Sequence, residues 1–598
     1  MDNQTVYEYI KTEGNNWRTV RIPLTKSKDW NMYEHIERCK NVANAWYHQG
    51  NNDGIRPYDD IVTPIINVAF RSEGFDAKDI VPFVDDINEN YKSFIVKKLH
   101  PQWARRNELD TFIDDLVETS VIYDLALIKN INNVRPEVVD LQTIEFCDQT
   151  DVMAGPICIK HQYTVAEIIE KKGKWDSDAI NQAIVLSTNK KTTQDGSQDY
   201  EVPSKYIEVF ELRGNMPKYW LDETAEPYEY ENQMHIVCYY TSKDGNKNGI
   251  TLFKGKDKPL SDNFKALKID RIRSKGRSCG KSIVESLFEP QVWNNYSAIK
   301  IKKLLDSSVQ LFQTDSEEFR DQKISELSAN TVLVHDTGKP ITQVSGSLQN
   351  LTAFQNYQTK QEQSARIIGS ASEAQLGTNP TSGTPFALQN LVVQQGQGIH
   401  EYRQGKIASF FADVLYRDWI LQYLVDEINT GVKFSEELTL DEMQYVVKQI
   451  SKNEVQEKIT KKIMETGEIP TAEERDIMEK AYADELMKKG NRMFFETIKD
   501  ELKDIPMSVM VNIRGKQRNM SQNADALSNI ARQVLSNPQA IAQMPGIAKL
   551  YNEIIEESGF SPVDFTLITD VGNVPQQTET TPEGQTQPPE GISAPLVA

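Results

Sequence analysis

Residues 280–312, GKSIVESLFEPQVWNNYSAIKIKKLLDSSVQLF, open the part of the chain that decides the fold. Apolar residues recur there every three or four positions, which predicts a long helix whose apolar face is interrupted only near Pro290. Residues 348–375, LQNLTAFQNYQTKQEQSARIIGSASEAQ, predict a second helix, and residues 386–428 predict a third. Between the first two helices, the segment NTVLVHDTGKPIT is strand-like. The central stretch is therefore a helix, a short insert, a helix, a loop and a helix.

The second of these helices is rich in Gln and dotted with Ser, Ala and Gly. Such a helix makes a poor core, but it packs well beside copies of itself around a polar lumen. The first helix carries a basic cluster, Lys300, Lys302 and Lys303, in an otherwise acidic chain. On a helix, such a cluster is either a solvated face or a surface that faces DNA or a partner. We expect the central stretch to form the wall of a channel.

An uncharged loop separates the second and third helices. It consists of Leu376, Gly377, Thr378, Asn379, Pro380, Thr381, Ser382, Gly383, Thr384 and Pro385. Its glycines and prolines predict a flexible loop. Because long helices flank it on both sides, we expect it to project and to have a function.

The third helix changes character along its length. Its polar first half contains Gly396, Gly398 and Gly405, whereas its second half, IASFFADVLYRDWILQYLVDEI, is strongly apolar. Each glycine costs about 1 kcal/mol relative to alanine in a helix interior. We therefore expect a kink or close helix–helix contacts rather than a straight rod.

The rest of the chain divides by its periodicity. Residues 1 to about 135 predict mainly helices, with an extended or short helical link at DIVTPIINVAFRSEG, which contains Pro64. From about 135 to 273, short runs rich in β-branched and aromatic residues predict an α+β region with a largely antiparallel sheet. Within it, VAEIIEKKGKW predicts a helix and LSTNKKTTQDGSQDYEVPSK a polar surface loop. Asp148 and Asp151 fit a cation site or, more simply, a turn.

The C-terminal third alternates between helices and one strand. After Asn429 come two charged helices, a strand in IPMSVMVNIRG, and further helices to about residue 558. From Asn573 onward the chain is rich in Pro, Thr and Gln, a composition typical of a disordered segment. The fold class expected from the sequence is α+β and mostly helical.

The composition excludes some classes of protein. The 598 residues carry a net charge of −20, which argues against a protein that coats nucleic acid by neutralising phosphates. The acidity fits an ordinary solvated surface, or a wall along which a polyanion slides without sticking.

The five cysteines are far apart, which indicates reduced thiols in a cytosolic setting. With no signal peptide and no apolar run of about 20 residues, we expect a soluble, intracellular protein without membrane contact.

Residues 274–282, SKGRSCGKS, come close to a phosphate-binding loop. The GxxxxGK[ST] pattern needs a glycine at position 275, where backbone N–H groups wrap the phosphates. The chain has Lys275 there, and Gly276 is one residue too late. The simpler interpretation is a tight turn, after which Ser282 caps the next helix.

No catalytic set is apparent elsewhere. The seven histidines are scattered, without HxxxH or HExxH, and GxSxG is absent. We therefore expect no catalytic residues, no metal site and no cofactor, and instead a structural or assembly role.

Four segments stand in a distinctive order along the chain. They are KIDRIRSKGRSCGKS, IVESLFEPQVWNNYSAIKIKKLL with its Pro-Gln pair and paired Asn294 and Asn295, GSASEAQLGTNPTSGTPFALQ, and ASFFADVLYRDWI. This order resembles the portal proteins of tailed bacteriophages. The N-terminal helices, followed by VVDLQTIEFCDQTD and β-strands, are similar to the portal wing. The resemblance covers about residues 30 to 560.

The resemblance implies an α/β wing, long stem helices, a small α/β clip and a helical crown. The implied parts are N-terminal helices and wing at 1–282, a first stem helix at 283–312, the clip at 313–347, a second stem helix at 348–374, the tunnel loop at 375–386, a kinked wing helix and wing/crown base at 387–515, the crown at 516–565 and a disordered tail at 566–598.

The resemblance also implies a homo-oligomeric ring, commonly a dodecamer, at one capsid vertex, through which DNA is packaged and ejected. The implied partners are copies of itself, viral double-stranded DNA in the channel, terminase, a head–tail adaptor and the major capsid protein. The resemblance implies that the protein is located in the virion, and in the host cytoplasm while the virion is assembled. The tunnel loop has no Lys or Arg, which argues against tight contacts with DNA phosphates. Its polar residues offer transient hydrogen bonds; they are Asn379, Thr381, Ser382 and Thr384.

Two other hypotheses stay open at this point. One is a nucleotide-driven DNA packaging or remodelling enzyme that uses SKGRSCGKS. The other is a different virion component, such as a head–tail connector or an internal scaffold, which gives no reason for the long helix–loop–helix arrangement.

Overall fold

The computed structural model describes most of the chain up to residue 511. The described residues are 5–45, 58–84, 90–131, 135–192, 199–203, 206–226, 228–241, 247–270, 275–307, 311–313, 342–344, 349–371, 376, 386–429, 440–466, 469–501 and 507–511. The chain divides into two compact units, Met1–Gly515 and Lys516–Ala598. Every described residue belongs to the first unit. The predicted crown at 516–565 and tail at 566–598 lie outside the described residues.

The N-terminal part is mainly helical, as predicted. Its elements are α1 (Val6–Thr19), β1 (Ile22–Thr25), β2 (Lys28–Trp30), α2 (Met32–Ala43), α3 (Thr63–Glu73), β3 (Ile80–Val84), α4 (Asn90–Arg106), α5 (Leu109–Tyr123), β4 (Ala126–Lys129) and β5 (Glu137–Val139). The expected link at Pro64 is instead a full helix, α3, because proline lies in its first turn, where its missing N–H has no intrahelical partner to lose.

The middle of the chain forms an antiparallel sheet. Its elements are β6 (Ile144–Phe146), β7 (Ile157–Tyr163), α6 (Val165–Glu170), α7 (Ser177–Leu186), β8 (Thr188–Thr192), β9 (Asp199–Pro203), β10 (Ile207–Pro217), β11 (Tyr230–Thr241), β12 (Lys247–Lys256), α8 (Leu260–Asn263) and β13 (Phe264–Leu267). The strand order is β12-β11-β10-β7-β6, with every neighbour antiparallel. The predicted polar loop at 186–205 is wrong in part, because β8 and β9 pair there as a hairpin.

The two faces of this sheet serve different cores. Successive side chains of a strand point to opposite faces. Ile207 and Val209 of β10 pack with α6 and α7 in a small cluster, whereas Phe210 and Leu212 belong to the main core. The main core also takes in α2 to α5 and the helices of the central stretch.

The central stretch contains long helices and a short strand pair. Its elements are α9 (Ile283–Ser307), β14 (Leu311–Gln313), β15 (Thr342–Val344), α10 (Gln349–Ile368), α11 (Phe386–Phe410), a π-helical segment (Phe411–Ile420) and α12 (Leu421–Asn429). The helix α9 continues through Pro290 without interruption. The prediction placed the end of the second helix at about residue 375, but α10 ends at Ile368, where Ser370 has a positive φ of 52°.

The third predicted helix is irregular, but not at its glycines. An ideal Cβ at Gly398 or Gly405 meets no neighbouring atom within 4 Å, so neither glycine marks a close helix–helix contact. The hydrogen-bond pattern changes later, at the π-helical segment. There the side chains of Phe411, Leu415 and Tyr416 are fully buried. The apolar second half of the helix therefore takes an unusual local geometry where it enters the core.

The chain ends its described part with two helices and a strand. They are α13 (Leu440–Thr466), α14 (Ala472–Glu501) and β16 (Met507–Val511). The predicted strand is confirmed, and β16 pairs antiparallel with β3. Residues more than 400 positions apart are thereby joined in one sheet, from Met507 opposite Val84 to Val511 opposite Ile80.

Replacing Gly214 by alanine is expected to destabilise this unit by about 1–3 kcal/mol. Gly214 has φ +147°, and an ideal Cβ there would lie 2.7 Å from the Pro156 Cα, which is backbone and cannot rotate away. Chemical denaturation of the variant measures the loss.

Gly398→Ala is the matched control, because its site is open and helical. This substitution should raise stability by up to about 1 kcal/mol. Equal effects of the two substitutions would contradict the close approach at Gly214.

Candidate functional site

The loop expected to project lies almost wholly outside the described residues. Of that loop only Leu376 is described; it is half-buried and packs against the main core. The other nine positions are Gly377, Thr378, Asn379, Pro380, Thr381, Ser382, Gly383, Thr384 and Pro385. Their role stays a prediction.

The basic cluster lies near the C-terminal end of α9. The Lys300 ammonium lies 5.2 Å from the centroid of the Tyr296 ring, within the range of a cation–π contact. The Lys302 side chain is exposed. For Lys303 only the helical backbone is described. The cluster is thus continuous with an aromatic surface of the same helix.

That aromatic surface spans the paired helices α9 and α10. The ring of Trp293 makes edge-on contacts with Tyr296 and with Tyr357, at centroid distances of 5.9 and 6.3 Å. All three side chains are exposed. We call these three residues the aromatic patch. Large aromatic groups that face solvent together are typical of a protein interface.

The paired asparagines of α9 position this helix. Asn294 donates from Nδ2 to the main-chain oxygen and to the carboxylate of Asp59, both at 3.1 Å. Gln291 donates to the same main-chain oxygen at 2.7 Å, and the Asn295 side-chain oxygen accepts from the Asp59 N–H at 3.1 Å. Gln358 of α10 also donates to the Asp59 carboxylate. One aspartate therefore fixes both helices against the N-terminal part of the chain.

An acidic side chain lies beside the turn before α9. An ideal Cβ at Gly280 would lie 1.6 Å from a carboxylate oxygen of Asp124, so an acidic group occupies the space beside this glycine. Arg277 donates to the Gly280 main-chain oxygen and to Glu285 within the turn. Ser282 accepts from the Glu285 N–H at 2.9 Å, as the predicted helix cap requires. The simpler interpretation of SKGRSCGKS is confirmed.

A buried charged cluster holds the third helix in place. The Arg403 Nε donates to both carboxylate oxygens of Glu73, at 2.9 and 3.0 Å, and its Nη1 donates to Asp124 at 2.9 Å. His400, one turn earlier on α11, lies 3.0 Å from Glu73 through Nδ1 and 3.1 Å from the Gly369 main-chain oxygen through Nε2. We call Glu73, Asp124, His400 and Arg403 the buried tetrad. It joins α3, α5, α10 and α11.

Every member of the buried tetrad has hydrogen-bond partners. Arg403 donates to both carboxylate oxygens of Glu73 and to Asp124, and each imidazole nitrogen of His400 lies within hydrogen-bond distance of an oxygen atom. Ionisable groups tolerate full burial only when they are paired and hydrogen-bonded in this way.

Sequence reasoning missed the buried tetrad. His400 and Arg403 are three residues apart and share a helix face, which was the one local signal. Their carboxylate partners lie about 280 to 330 positions earlier in the chain. No spacing pattern connects positions so distant.

The candidate cation site at Asp148 and Asp151 is a hydrogen-bonded turn. The Asp148 carboxylate accepts from the N–H groups of Thr150 and Asp151, so this pair forms a turn, as the simpler prediction had it.

All five cysteines are free and buried, and burial raises the pKa of the Cys39 thiol to about 12. Within the described ranges, no group of three or more His, Cys, Asp or Glu side chains is arranged to hold a metal ion. None of the helices described is both long and apolar enough to cross a membrane.

Comparison with known proteins adds little. No family model and no curated protein matches the chain. One similar solved chain belongs to the virion of a native gene transfer agent particle. The match covers 64% of this chain and 86% of that chain, at 9% identity and a TM-score of 0.26. At this score the similarity supports no conclusion about fold or function.

Arg403→Met is expected to destabilise the protein by about 3–5 kcal/mol at pH 7, because it leaves buried carboxylates without their cation. Burial raises the pKa of Asp124 to about 6 even though Arg403 lowers it, and removing the arginine raises it further. Since an acid with a raised folded-state pKa is stabilised by protonation, the loss should shrink at pH 5. Denaturant unfolding at the two pH values measures both effects.

Arg417→Met is the matched control, since Arg417 is exposed and pairs with Asp418 at the surface. A surface ion pair contributes at most about 1 kcal/mol. A loss for Arg403→Met that is as small as that of the control, or that grows on acidification, would contradict the buried tetrad.

Proposed function

We propose that this chain is a portal protein. Copies of it assemble into a ring at one capsid vertex, and double-stranded DNA passes through the central channel during packaging and ejection. The ring docks terminase and later a head–tail adaptor, and it contacts the major capsid protein. The motor that moves DNA is another protein, and this chain contributes no catalysis.

The observation that carries the proposal is the exposure of α10. Among its described side chains, from Leu351 to Ile368, only Ala365 is buried. Its main partner within the chain is α9. Most of the stability of a helix in a protein comes from packing of one face, and α10 has little of it in the single chain. A helix pair of this kind is stabilised when neighbouring copies pack beside it.

The aromatic patch supplies a surface for such packing. It lies across α9 and α10, and the Lys300 ammonium over the Tyr296 ring extends it toward the end of α9. Aromatic residues that are exposed in a monomer and buried between subunits contribute much of the energy of an interface. The two helices are about 37 and 30 Å long, which suits the wall of a channel.

The polar character of α10 suits a conduit for DNA. Its exposed positions are mostly uncharged polar residues, namely glutamines, threonines and an asparagine, with one lysine, Lys360. Uncharged polar groups in a chain of net charge −20 bind phosphates weakly, so DNA slides past them. The strand pair β14–β15 lies between α9 and α10 in sequence, where the proposed clip offers a platform for terminase and adaptor. On this proposal the channel guides DNA.

Electron microscopy of the purified full-length chain is expected to show rings with a central hole. A chain that stays monomeric at every concentration would contradict the proposal. Labelling of assembled particles separates a portal from another virion component, because a portal occupies one vertex. Many copies spread through the particle would favour a connector or scaffold.

The double substitution Trp293→Ser with Tyr296→Ser is expected to raise the concentration needed for ring assembly by about tenfold or more. Both side chains are exposed in the single chain, so the unfolding midpoint of the monomer should change little. Mass photometry over a dilution series measures assembly, and denaturation measures folding.

Tyr228→Ser serves as the control, since Tyr228 is an exposed tyrosine between β10 and β11, far in sequence from the helix pair. Unchanged assembly of the double variant, or equal loss in the control, would show that the aromatic patch is not an interface.

A further inference from the structure

The side chain of Asp59 joins the two helices that carry the aromatic patch. Its carboxylate accepts from Nδ2 of Asn294 on α9, at 3.1 Å, and from Nε2 of Gln358 on α10. Both donors bind the same oxygen, Oδ2. These donors are the immediate chain neighbours of Trp293 and Tyr357, the two rings that meet across the helix pair. One carboxylate oxygen therefore bridges α9 and α10 at the level of the aromatic patch.

The main chain around Asp59 is held by α9 without that carboxylate. Gln291 donates to the Asp59 main-chain oxygen at 2.7 Å and accepts from the Ile61 N–H at 3.1 Å. Asn295 accepts from the Asp59 N–H, and Asn294 donates to the Asp59 main-chain oxygen, both at 3.1 Å. In these four hydrogen bonds, residues 59 and 61 take part only through main-chain atoms, so the bonds survive a change of side chain at position 59. What the carboxylate adds is the link to α10.

Apolar packing gives α10 little to fix its position along α9. Of the described side chains of α10, from Leu351 to Ile368, only Ala365 is buried. Interdigitated apolar side chains normally fix the register of paired helices, and a helix with few of them slides at small cost. In coiled coils, a single polar residue between the helices specifies the register at such a place. The carboxylate of Asp59, bonded to both helices, fits this role.

The aromatic patch depends on the register of the two helices. Trp293 and Tyr357 meet edge-on with 6.3 Å between their ring centroids, and Trp293 meets Tyr296 at 5.9 Å. A slide of α10 by one turn would move Tyr357 about 5.4 Å along α9 and separate its ring from that of Trp293. The surface would then carry separate aromatic side chains instead of one continuous patch. The residues that contribute most to an interface are clustered rather than scattered.

We propose that Asp59 is a positioning residue for assembly. Its carboxylate sets the register of α9 against α10, and the aromatic patch is thereby held in the form that a neighbouring copy binds. Asp59 acts through the patch and needs no contact of its own with the neighbour. The proposal rests on the proposed function and identifies a residue outside the patch on which the interface depends.

Asp59→Ala in the full-length chain tests this role. The substitution removes the link between Asn294 and Gln358 but keeps the main-chain bonds to α9, so the unfolding midpoint of the monomer should change little. The concentration needed for ring assembly should rise about tenfold, the effect expected when hydrogen bonds to a charged group are lost. Mass photometry over a dilution series measures assembly, and denaturation of the dilute monomer measures folding.

The decisive measurement is made in a chain without the patch. Asp59→Ala is combined with Trp293→Ser and Tyr296→Ser. If Asp59 acts through the patch, this triple variant assembles no worse than the double variant, because the two losses are not independent. Losses that add would overturn the proposal, since a residue that merely stabilises the fold would add its effect in either background.

Asp60→Ala is the matched control. Asp60 is the next residue, and its carboxylate accepts from the N–H groups of Val62 and Thr63 at the start of α3, both at 3.0 Å. This variant should lower the unfolding midpoint and leave the assembly concentration unchanged. An Asp59→Ala chain whose unfolding midpoint falls as far as that of the control, with normal assembly, would show a structural residue only and overturn the proposal.

Gln358→Ala removes the same link from the side of α10 and should raise the assembly concentration as Asp59→Ala does. Normal assembly of both variants, with assembly of the patch variant impaired, would overturn the positioning role and leave the ring standing. If the unsubstituted chain forms no rings, the proposed function itself fails.

Discussion

Two carboxylates, a histidine and an arginine that are buried together constrain the rest of the described structure. Glu73, Asp124, His400 and Arg403 come from three helices, and His400 also fixes the main chain at the end of α10. Removing one member leaves a buried charge without its partner, which costs far more than an exposed pair contributes. The four helices are therefore held in one arrangement. His400 also hydrogen-bonds to the main-chain oxygen of Gly369, so the tetrad fixes the main chain where α10 ends, seven residues before the predicted end at about residue 375.

The sequence predicts the parts of this fold whose signal is local. The apolar periodicity predicts α9, the Gln-rich segment after it was also predicted as a helix, now α10, and β-rich runs predict the antiparallel sheet and β16. The sequence did not predict the π-helical segment Phe411–Ile420, because the apolar residues of this segment follow the same pattern as those of an ordinary α-helix. Nor did it predict α3, since Pro64 is compatible with a helix only at the first turn, and the position of that turn was not evident.

The candidate site shows the same division between local and distant information. Ser282 was expected to cap α9, and it does, because a cap depends on residues three positions apart. Asn294 and Asn295 were noticed as an unusual pair, but their partner, Asp59, lies more than 230 positions away. The same holds for the Asp124 carboxylate beside Gly280, which comes from a position more than 150 residues earlier in the chain. The tunnel loop remains a prediction from sequence.

Charge links the surfaces proposed as contacts. Every copy brings a net charge of −20, so ring assembly places many like charges near one another. Salt screens those separated by more than about 8 Å under physiological conditions, but not those brought into direct contact. An interface in this chain therefore needs cations of its own. Lys300 lies beside the aromatic patch, so it supplies such a cation at the surface proposed as an interface. On the proposed function, the acidic remainder of the surface favours weak contact with DNA.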